Sequence, residues 1–172
     1  MSNNKLKFGV SACLLGFKYR YDGTADKWQE LIDKLKDVAD FVPVCPEVES
    51  GLPVPRPKMH IRPSSKGTRL VVVDTGEDLT DMMMQWAEVK LEQLELRQLD
   101  GFIFHSKSPC CGYCTTKLRT PQGRILSDKA SGLFAAAFHR KFPKIPIGDE
   151  RDLDAFLKKI TVMTESEVDS ES

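Results

Sequence analysis

Three separate parts of the chain carry cysteine, the side chain with the strongest metal chemistry in this sequence. Cys13 and Cys45 stand alone, whereas Cys110, Cys111 and Cys114 are clustered. Thiolates are soft ligands that suit iron–sulfur clusters, zinc or Cu(I). In a chain that is not secreted, cysteines at this number indicate metal binding or catalysis more than disulfides. We therefore expect a metal centre, an iron–sulfur cluster first and zinc as the alternative.

The elements that must position these cysteines follow from the apolar pattern. Short apolar runs predict strands at residues 6–11, 41–45, 69–74, 101–105 and 144–148, and helical spacing predicts helices at 26–40, 80–99, 132–141 and 151–160. Alternating strands and helices predict an α/β fold with a parallel sheet and right-handed crossovers. Ligands of such sheets bind beyond the carboxyl ends of the strands. Because Cys13, Cys45 and the Cys110/Cys111 pair each follow a predicted strand, we expect them to meet at one edge of the sheet.

The remaining segments are predicted to be irregular. Residues 46–63 are rich in proline and lack an apolar period, which is typical of an ordered functional loop. Residues 115–128 are rich in turn signals. We expect residues 1–162 to form a single domain, and residues 163–172 to be an acidic, disordered tail.

Composition limits the classes of partner and the compartment. The 172 residues include 25 Lys and Arg against 25 Asp and Glu, so the formal net charge is zero. A neutral chain is a poor match for nucleic acid or an anionic membrane, although a local basic patch is compatible with this balance. No apolar run approaches the length of a membrane span, and residues 1–7 lack the apolar segment of a secretory signal. We expect a cytoplasmic protein with no membrane or nucleic-acid partner.

Several alternatives for the cysteines are open from the residues alone. Cys111-Gly112-Tyr113-Cys114 has the spacing of a redox dithiol, but the following Thr115-Thr116 and Pro121 are a poor helix start. Four of the cysteines could hold a tetrahedral structural zinc. Cys13 and Cys45 could also be small buried apolar side chains without a metal role.

Five motifs in order resemble a known family, the thiouracil desulfidase (TudS) family. They are Ser11-x-Cys13-Leu14-x-Gly16, Arg20-Tyr21-Asp22-Gly23, Val42-Pro43-Val44-Cys45-Pro46-Glu47, Gly51-Leu52-Pro53-x-Pro55-Arg56 and Ser108-Pro109-x-Cys111-Gly112. The resemblance covers roughly residues 6 to 160. It implies a Rossmann-like three-layer α/β domain with a mostly parallel sheet.

The resemblance also implies a cofactor and a set of site residues. It implies a [4Fe–4S] cluster on Cys13, Cys45 and Cys111, with the fourth iron left open for the sulfur of a thiocarbonyl. Glu47 and Ser108 are implicated as catalytic residues, Glu47 by activating water. Ser11, Arg56 and His105 are expected to bind the substrate.

The expected reaction is hydrolysis of the C=S bond of a thiolated nucleobase such as 2-thiouracil, with release of sulfide and no net redox change. An iron with an open coordination position can withdraw sulfide from carbon, and a carboxylate two residues from a ligand can serve as base. The implied partners are a small thiolated base and the iron–sulfur assembly machinery, and we expect a monomer or small homo-oligomer. The alternatives are a non-catalytic iron–sulfur or zinc protein and a Cys-x-x-Cys redox protein.

This chain departs from the family pattern at several positions. Cys110 replaces a serine, Cys114 is a further thiol, and His105 stands where a lysine is common; the acidic residue expected near Met59-His60 is absent. Either extra thiol could replace or supplement a cluster ligand. Simpler roles are also open: Glu47 could cap a helix, Ser108 could cap a backbone amide, and Arg56 could anchor the proline-rich loop.

Overall fold

The computed structural model describes the backbone of residues 5–170 and the side chains of residues 5–161. The strands are β1 Leu6–Ser11, β2 Ala39–Val44, β3 Met59–Arg62, β4 Arg69–Val72, β5 Gly101–Phe104, β6 Thr116–Arg119, β7 Ile125–Ala130 and β8 Ile147–Asp149. The α-helices are α1 Gln29–Leu35, α2 Pro46–Glu49, α3 Thr80–Arg97, α4 Leu133–Lys141 and α5 Leu153–Ser170, and a short 3₁₀ helix spans Ala12–Leu15.

The main sheet is entirely parallel, with strand order β2-β1-β5-β8. Ser11 at the end of β1 is in register with Val44 at the end of β2, and Phe104 at the end of β5 is in register with Asp149 at the end of β8. The four carboxyl ends therefore lie in one row. This confirms the predicted α/β fold, Rossmann-like and with a mostly parallel sheet.

Side-chain alternation along the strands creates two apolar cores, one on each face of the main sheet. Phe8, Val10 and Ile103 pack on one face against α1 and α5, while Phe102 and Phe104 pack on the other face with side chains of α3 and α4. Successive residues of a strand point to opposite faces, so β5 alone supplies both cores. Helices on both faces give the domain its three layers.

The close approach of β1 and β5 depends on one glycine. A Cβ atom built on Gly9 would lie 2.3 Å from the ring of Phe102, which is fully buried. Phe102 in turn stacks on Phe104, with ring centroids 4.1 Å apart. The aromatic core therefore occupies the space that a side chain at position 9 would need.

A second four-stranded sheet was not predicted from the sequence. Its order is β4-β3-β6-β7, with antiparallel β3–β4 and β6–β7 pairs and a parallel β3–β6 contact. The strand predicted at residues 69–74 was expected in the parallel sheet, but as β4 it pairs with β3 instead. Residues 46–63, predicted to be a loop, contain α2 and β3, and the turn-rich segment at 115–128 contains β6 and most of β7.

Two helix lengths also differ from the prediction. α1 begins at Gln29 because the preceding residues are bonded to the segment after β1: Asp26 N donates to Cys13 O at 3.1 Å and Trp28 N to Leu14 O at 2.7 Å. α5 continues to Ser170, beyond the predicted end at residue 160, and no glycine or proline interrupts it. Residues 171–172 lie outside the described part, and the division into a domain and a disordered tail stays a prediction.

In the part of the chain that the structure describes, no helix has both the length and the apolar composition to cross a membrane.

Candidate functional site

A cavity of about 460 Å³ opens at the row of carboxyl ends of the main sheet. Segments after β1, β2, β5 and β8 form its walls, and residues 56–60 beside β3 close it from the second sheet. Its lining includes eight of the predicted site residues: Ser11, Cys13, Cys45, Glu47, Arg56, His105, Ser108 and Cys111. The fold thus brings into one cavity side chains that are up to 100 positions apart in the sequence.

Three different local structures present the cavity thiols. Cys13 lies in the 3₁₀ helix that follows β1, and this helix ends at Gly16 with φ of 102°. Cys45 is the residue before α2, in extended conformation, and Cys111 lies in the turn after β5. Each thiol follows a different strand. The thiols nevertheless meet, because parallel strands present their carboxyl ends at the same edge of the sheet.

The cavity thiols influence one another electrostatically. Burial, with smaller contributions from Cys45 and Asp26, raises the pKa of Cys13 to about 12. Burial also raises the pKa of Cys45. For Cys111, burial and then the Cys45 charge raise the pKa well above its ordinary value, against a hydrogen bond from Ser11 that lowers it. Because these raised pKa values favour the neutral thiols, the side chains need a compensating positive charge, such as a metal centre, to become thiolates.

The two other cysteines have different surroundings. Cys110 is fully buried, and burial followed by the nearby charge of Glu47 raises its pKa. Cys114 is exposed; its N–H donates to Ser131 Oγ at 2.9 Å, and Ser131 Oγ contacts its Sγ at 3.7 Å. Neither lines the described cavity. Of the clustered thiols, Cys111 therefore has the best position to act as a ligand.

The Cys111-x-x-Cys114 segment does not open a helix. It leads into strand β6, and all five cysteines are free thiols. Redox dithiols use a helix N-terminus to lower the pKa of the first thiol. This arrangement gives the redox alternative no support.

No three His, Cys, Asp or Glu side chains among the described residues are arranged to hold a single metal ion. In a [4Fe–4S] cluster each cysteine binds a separate iron, so the ligands surround a larger object than a single ion. The donor set of three cavity thiols fits such a cluster with one iron lacking a protein ligand. The ligand assignment stays a proposal.

Glu47 and Arg56 form a buried ion pair at the cavity wall. Arg56 Nε donates to Glu47 Oε2 at 2.7 Å, and Arg56 Nη2 also contacts this oxygen. The guanidinium donates further to the carbonyls of Tyr19, at 2.7 Å, and Pro53, at 3.3 Å. The Arg56 side chain is only 3% exposed and the Glu47 side chain 12%. Arg56 thus holds one oxygen of Glu47 in a fixed position, while its role as a substrate-binding residue stays a prediction.

Ser108 organises the turn that carries Cys111. Its Oγ accepts hydrogen bonds from the N–H groups of Cys110, at 3.2 Å, and Cys111, at 3.1 Å. Its carbonyl accepts from Gly112 N at 2.9 Å and Thr116 Oγ1 at 2.8 Å. Because both N–H groups donate to the oxygen, the Ser108 hydroxyl proton is free for another acceptor. The capping role is therefore present, and the catalytic role stays a prediction.

Ser11 and His105 connect the strand ends beneath the cavity. His105 N donates to Ser11 Oγ at 2.9 Å, and the Ser11 side chain lies near enough to the Cys111 thiol to counteract the rise in its pKa. His105 Nε2 lies 2.8 Å from Asp26 Oδ2, which fixes the orientation of the ring. The expected contacts of these residues with a substrate stay predictions.

The sequence analysis missed two acidic residues of the cavity, Glu150 and Asp26. Glu150 directly follows β8. The rule that sites lie beyond the carboxyl ends of parallel strands could therefore have identified it, as it identified the cysteines. Asp26 was assigned to the predicted helix and therefore looked like an ordinary surface acid. Its contact with His105, 79 positions away, has no signal in the sequence.

The second sheet adds a basic edge to the cavity. Lys58 and His60 belong to the lining. Burial lowers the pKa of His60, and the positive charges of Arg119, Arg62 and Lys58 lower it further.

Comparisons with known proteins agree with the site. The profile of the 2-thiouracil desulfurase family matches residues 8–150. An uncharacterized protein, YbbK of Bacillus subtilis (strain 168), is 33% identical over 108 residues, which cover 60% of this chain and 71% of YbbK. The structure of a [4Fe–4S]-dependent thiouracil desulfidase, TudS, superposes with a TM-score of 0.72 at 26% identity, covering 92% of this chain and 99% of the other. The family match includes the three cavity cysteines and Glu47, and this chain therefore belongs to the 2-thiouracil desulfurase family.

Proposed function

We propose that this protein is a [4Fe–4S]-dependent desulfidase that converts the C=S group of a small thiolated nucleobase, such as 2-thiouracil, to C=O. The observation that carries the proposal is the cavity in which thiols from three strand ends meet a buried carboxylate. Family membership supports the reaction class, and the likeness to a [4Fe–4S]-dependent desulfidase supports the cofactor.

Cys13, Cys45 and Cys111 would hold the cluster. When bound, it would supply a Lewis-acidic iron without a protein ligand, which favours departure of sulfide from carbon. Cys111 is buried and Cys13 and Cys45 are partly buried, and the charges of Cys13 and Cys45 each affect the pKa of another of these thiols. Cys110 and Cys114, outside the cavity lining, would not take part in binding the cluster.

Glu47 would act as the base that accepts a proton from the attacking water. A general base must lie where its proton donor binds, and Glu47 lines the cavity. Arg56 occupies one carboxylate oxygen and keeps the side chain from turning away. The other oxygen is then the one available to water.

Other cavity residues would position the substrate. Ser108 can donate its hydroxyl proton to the reacting group, since two backbone N–H groups already use its oxygen as acceptor. Ser11 and His105 lie at adjacent strand ends and would contact the ring, with His105 oriented by Asp26. Fixed geometry of this kind is where positioning residues contribute most to the rate.

The reaction balances without an oxidant or reductant. The water oxygen bonds to the thiocarbonyl carbon, the carbon–sulfur bond breaks, and both water protons end on the released sulfide. A cytoplasmic location and loading by the iron–sulfur assembly machinery are parts of this proposal.

The test is incubation of anaerobically reconstituted protein with 2-thiouracil in isotope-labelled water. We expect uracil and sulfide in equal amounts, with the label in the new carbonyl. Glu47→Gln should lose most of this turnover, since a general base contributes about 10²–10⁴-fold. Glu92→Gln, which changes an exposed glutamate on α3, should keep it. Loaded protein that yields neither uracil nor sulfide would contradict the proposal.

A further inference from the structure

A second carboxylate, Glu150, belongs to the cavity and has no role in the steps described above. It follows β8, whereas Glu47 follows β2, and these are the two edge strands of the main sheet. The two carboxylates therefore enter the cavity from opposite ends of the row of strands. The Glu150 charge also contributes to raising the pKa of Cys13, so it lies within electrostatic range of a proposed cluster ligand.

Ser106 fixes the orientation of Glu150. The Ser106 N–H lies 2.8 Å from Oε2 and 3.2 Å from Oε1, and the Ser106 hydroxyl donates to Oε1. Ser106 is itself only 5% exposed and belongs to the turn after β5 that also carries Ser108. The carboxylate is thus held by a rigid part of the structure and does not hang freely into solvent.

The hydrogen bonds from Ser106 do not use all the acceptor sites of the Glu150 carboxylate. An ionised carboxylate can accept about four hydrogen bonds, and Ser106 has one N–H and one O–H to give. Unlike Glu47, Glu150 makes no hydrogen bond or close ion pair with an arginine or lysine side chain among the described residues; the adjacent Arg151 bonds Asp149, and the Glu150 charge adds to the effect of Asp149 in raising the pKa of Arg151. Glu150 therefore presents at the cavity wall an acceptor that Ser106 holds in place and that no direct ion pair occupies.

We propose that Glu150 recognises the substrate by accepting the ring N–H next to the thiocarbonyl carbon. This inference rests on the proposed function and names the class of substrate: thioamides that keep at least one N–H beside the C=S group. A carboxylate is an acceptor only, so it favours such N–H donors and rejects rings whose flanking nitrogens are both alkylated. Glu150 is a specificity residue and takes no proton in the reaction.

The test compares direct binding of two ligands, 2-thiouracil and its 1,3-dimethyl derivative, by equilibrium dialysis of anaerobically prepared holoprotein that carries Glu47→Gln throughout, so that the ligands are not consumed. With position 150 unsubstituted, we expect 2-thiouracil to bind about tenfold more tightly or better, the usual value of a hydrogen bond to a charged group. In Glu150→Gln this preference should fall to about threefold or less, with little change for the dimethyl compound. Asp149→Asn, the neighbouring carboxylate outside the cavity, should keep the full preference.

Each other outcome contradicts the inference in a distinct way. A preference that survives Glu150→Gln would mean that another group reads the N–H. An equal loss for both ligands would mean that Glu150 only supports the Ser106 turn. Failure of the protein with position 150 unsubstituted to bind either thioamide would overturn the proposed function as well. Should Glu150→Gln not fold, Glu150→Asp, which keeps the charge but withdraws it by one methylene, should show the same loss of preference.

Discussion

Replacing Arg56 by methionine tests the ion pair that holds the proposed base. The Arg56 side chain is 3% exposed and contacts Glu47 and two carbonyls, so its removal leaves a buried carboxylate without its counter-ion and two acceptors without their donor. Breaking a buried ion pair from one side costs about 3–5 kcal/mol. For a domain of this size each kcal/mol lowers Tm by about 2–4 °C, so Tm should fall by roughly 6–20 °C.

The assay is urea unfolding of Arg56→Met, Glu47→Gln and the double variant. Because the double variant leaves no unpaired charge, it should be more stable than the sum of the single losses predicts, by about 1 kcal/mol or more. As the matched control, Lys141→Met removes an exposed ion pair with Glu95 and should cost about 0.5 kcal/mol or less. A loss for Arg56→Met as small as that of the control, or simple additivity in the double variant, would refute the reasoning.

Three further predictions concern the cluster, the Asp78 carboxylate before α3 and the core. Serine in place of any cavity thiol should abolish the visible absorption of anaerobic preparations, whereas serine at either of the other cysteines should keep it; a spectrum unaffected by all five would refute the ligand set. Burial opposes ionisation of Asp78, but hydrogen bonds from Arg69 and the Thr80 backbone outweigh it and lower its pKa from 3.8 to about 2. Because the pKa of Asp78 is lowered in the folded protein, its charge stabilises the fold at pH values above its ordinary pKa. Asp78→Asn should therefore cost about 1 kcal/mol of folding free energy at neutral pH, a figure reduced to allow for the exposure of this side chain. The difference should disappear as pH falls towards 2, and one that persists there in urea titrations would contradict this cause. Gly9→Ala should lose about 1–3 kcal/mol by thermal unfolding, since its Cβ would meet the Phe102 ring, and an unchanged Tm would show that the core yields easily.

The parallel sheet and the place of the site could be predicted because the signals were local. Strands β1, β2 and β5 of the main sheet contain short apolar runs, and cysteines lie in the segments that follow them. The rule that parallel strands present their carboxyl ends at one edge then predicts that Cys13, Cys45 and the Cys110/Cys111 pair meet, without any knowledge of distances, while only the family resemblance singles out Cys111. The structure puts Cys13, Cys45 and Cys111 in the same cavity.

The second sheet could not be predicted because its strands depend on partners far along the chain. β3 has only four residues within a proline-rich segment, and only Met59 and Ile61 point into the core. The apolar run of β4 looks like a buried parallel strand, yet its partner is β3 across an antiparallel pair. Burial of these residues against α3 and the main core, and not their local pattern, decides their pairing.

The contacts that orient the site were also outside the reach of sequence patterns. The Glu150–Ser106 bonds join residues 44 positions apart, and the Asp26–His105 contact spans 79. A single acidic residue in a sequence gives no indication of which donor it will meet. The proposed ligands were therefore easier to predict than the polar residues that surround them.

The most direct test of the account is the iron and acid-labile sulfide content of anaerobically purified protein, compared with its Cys111→Ser variant. We predict about four irons and four sulfides per chain in the unsubstituted protein and a substantial loss of both in the variant. Stoichiometric zinc without sulfide, or a cluster content that Cys111→Ser leaves unchanged, would contradict the claim that thiols from three strand ends share one iron–sulfur cluster.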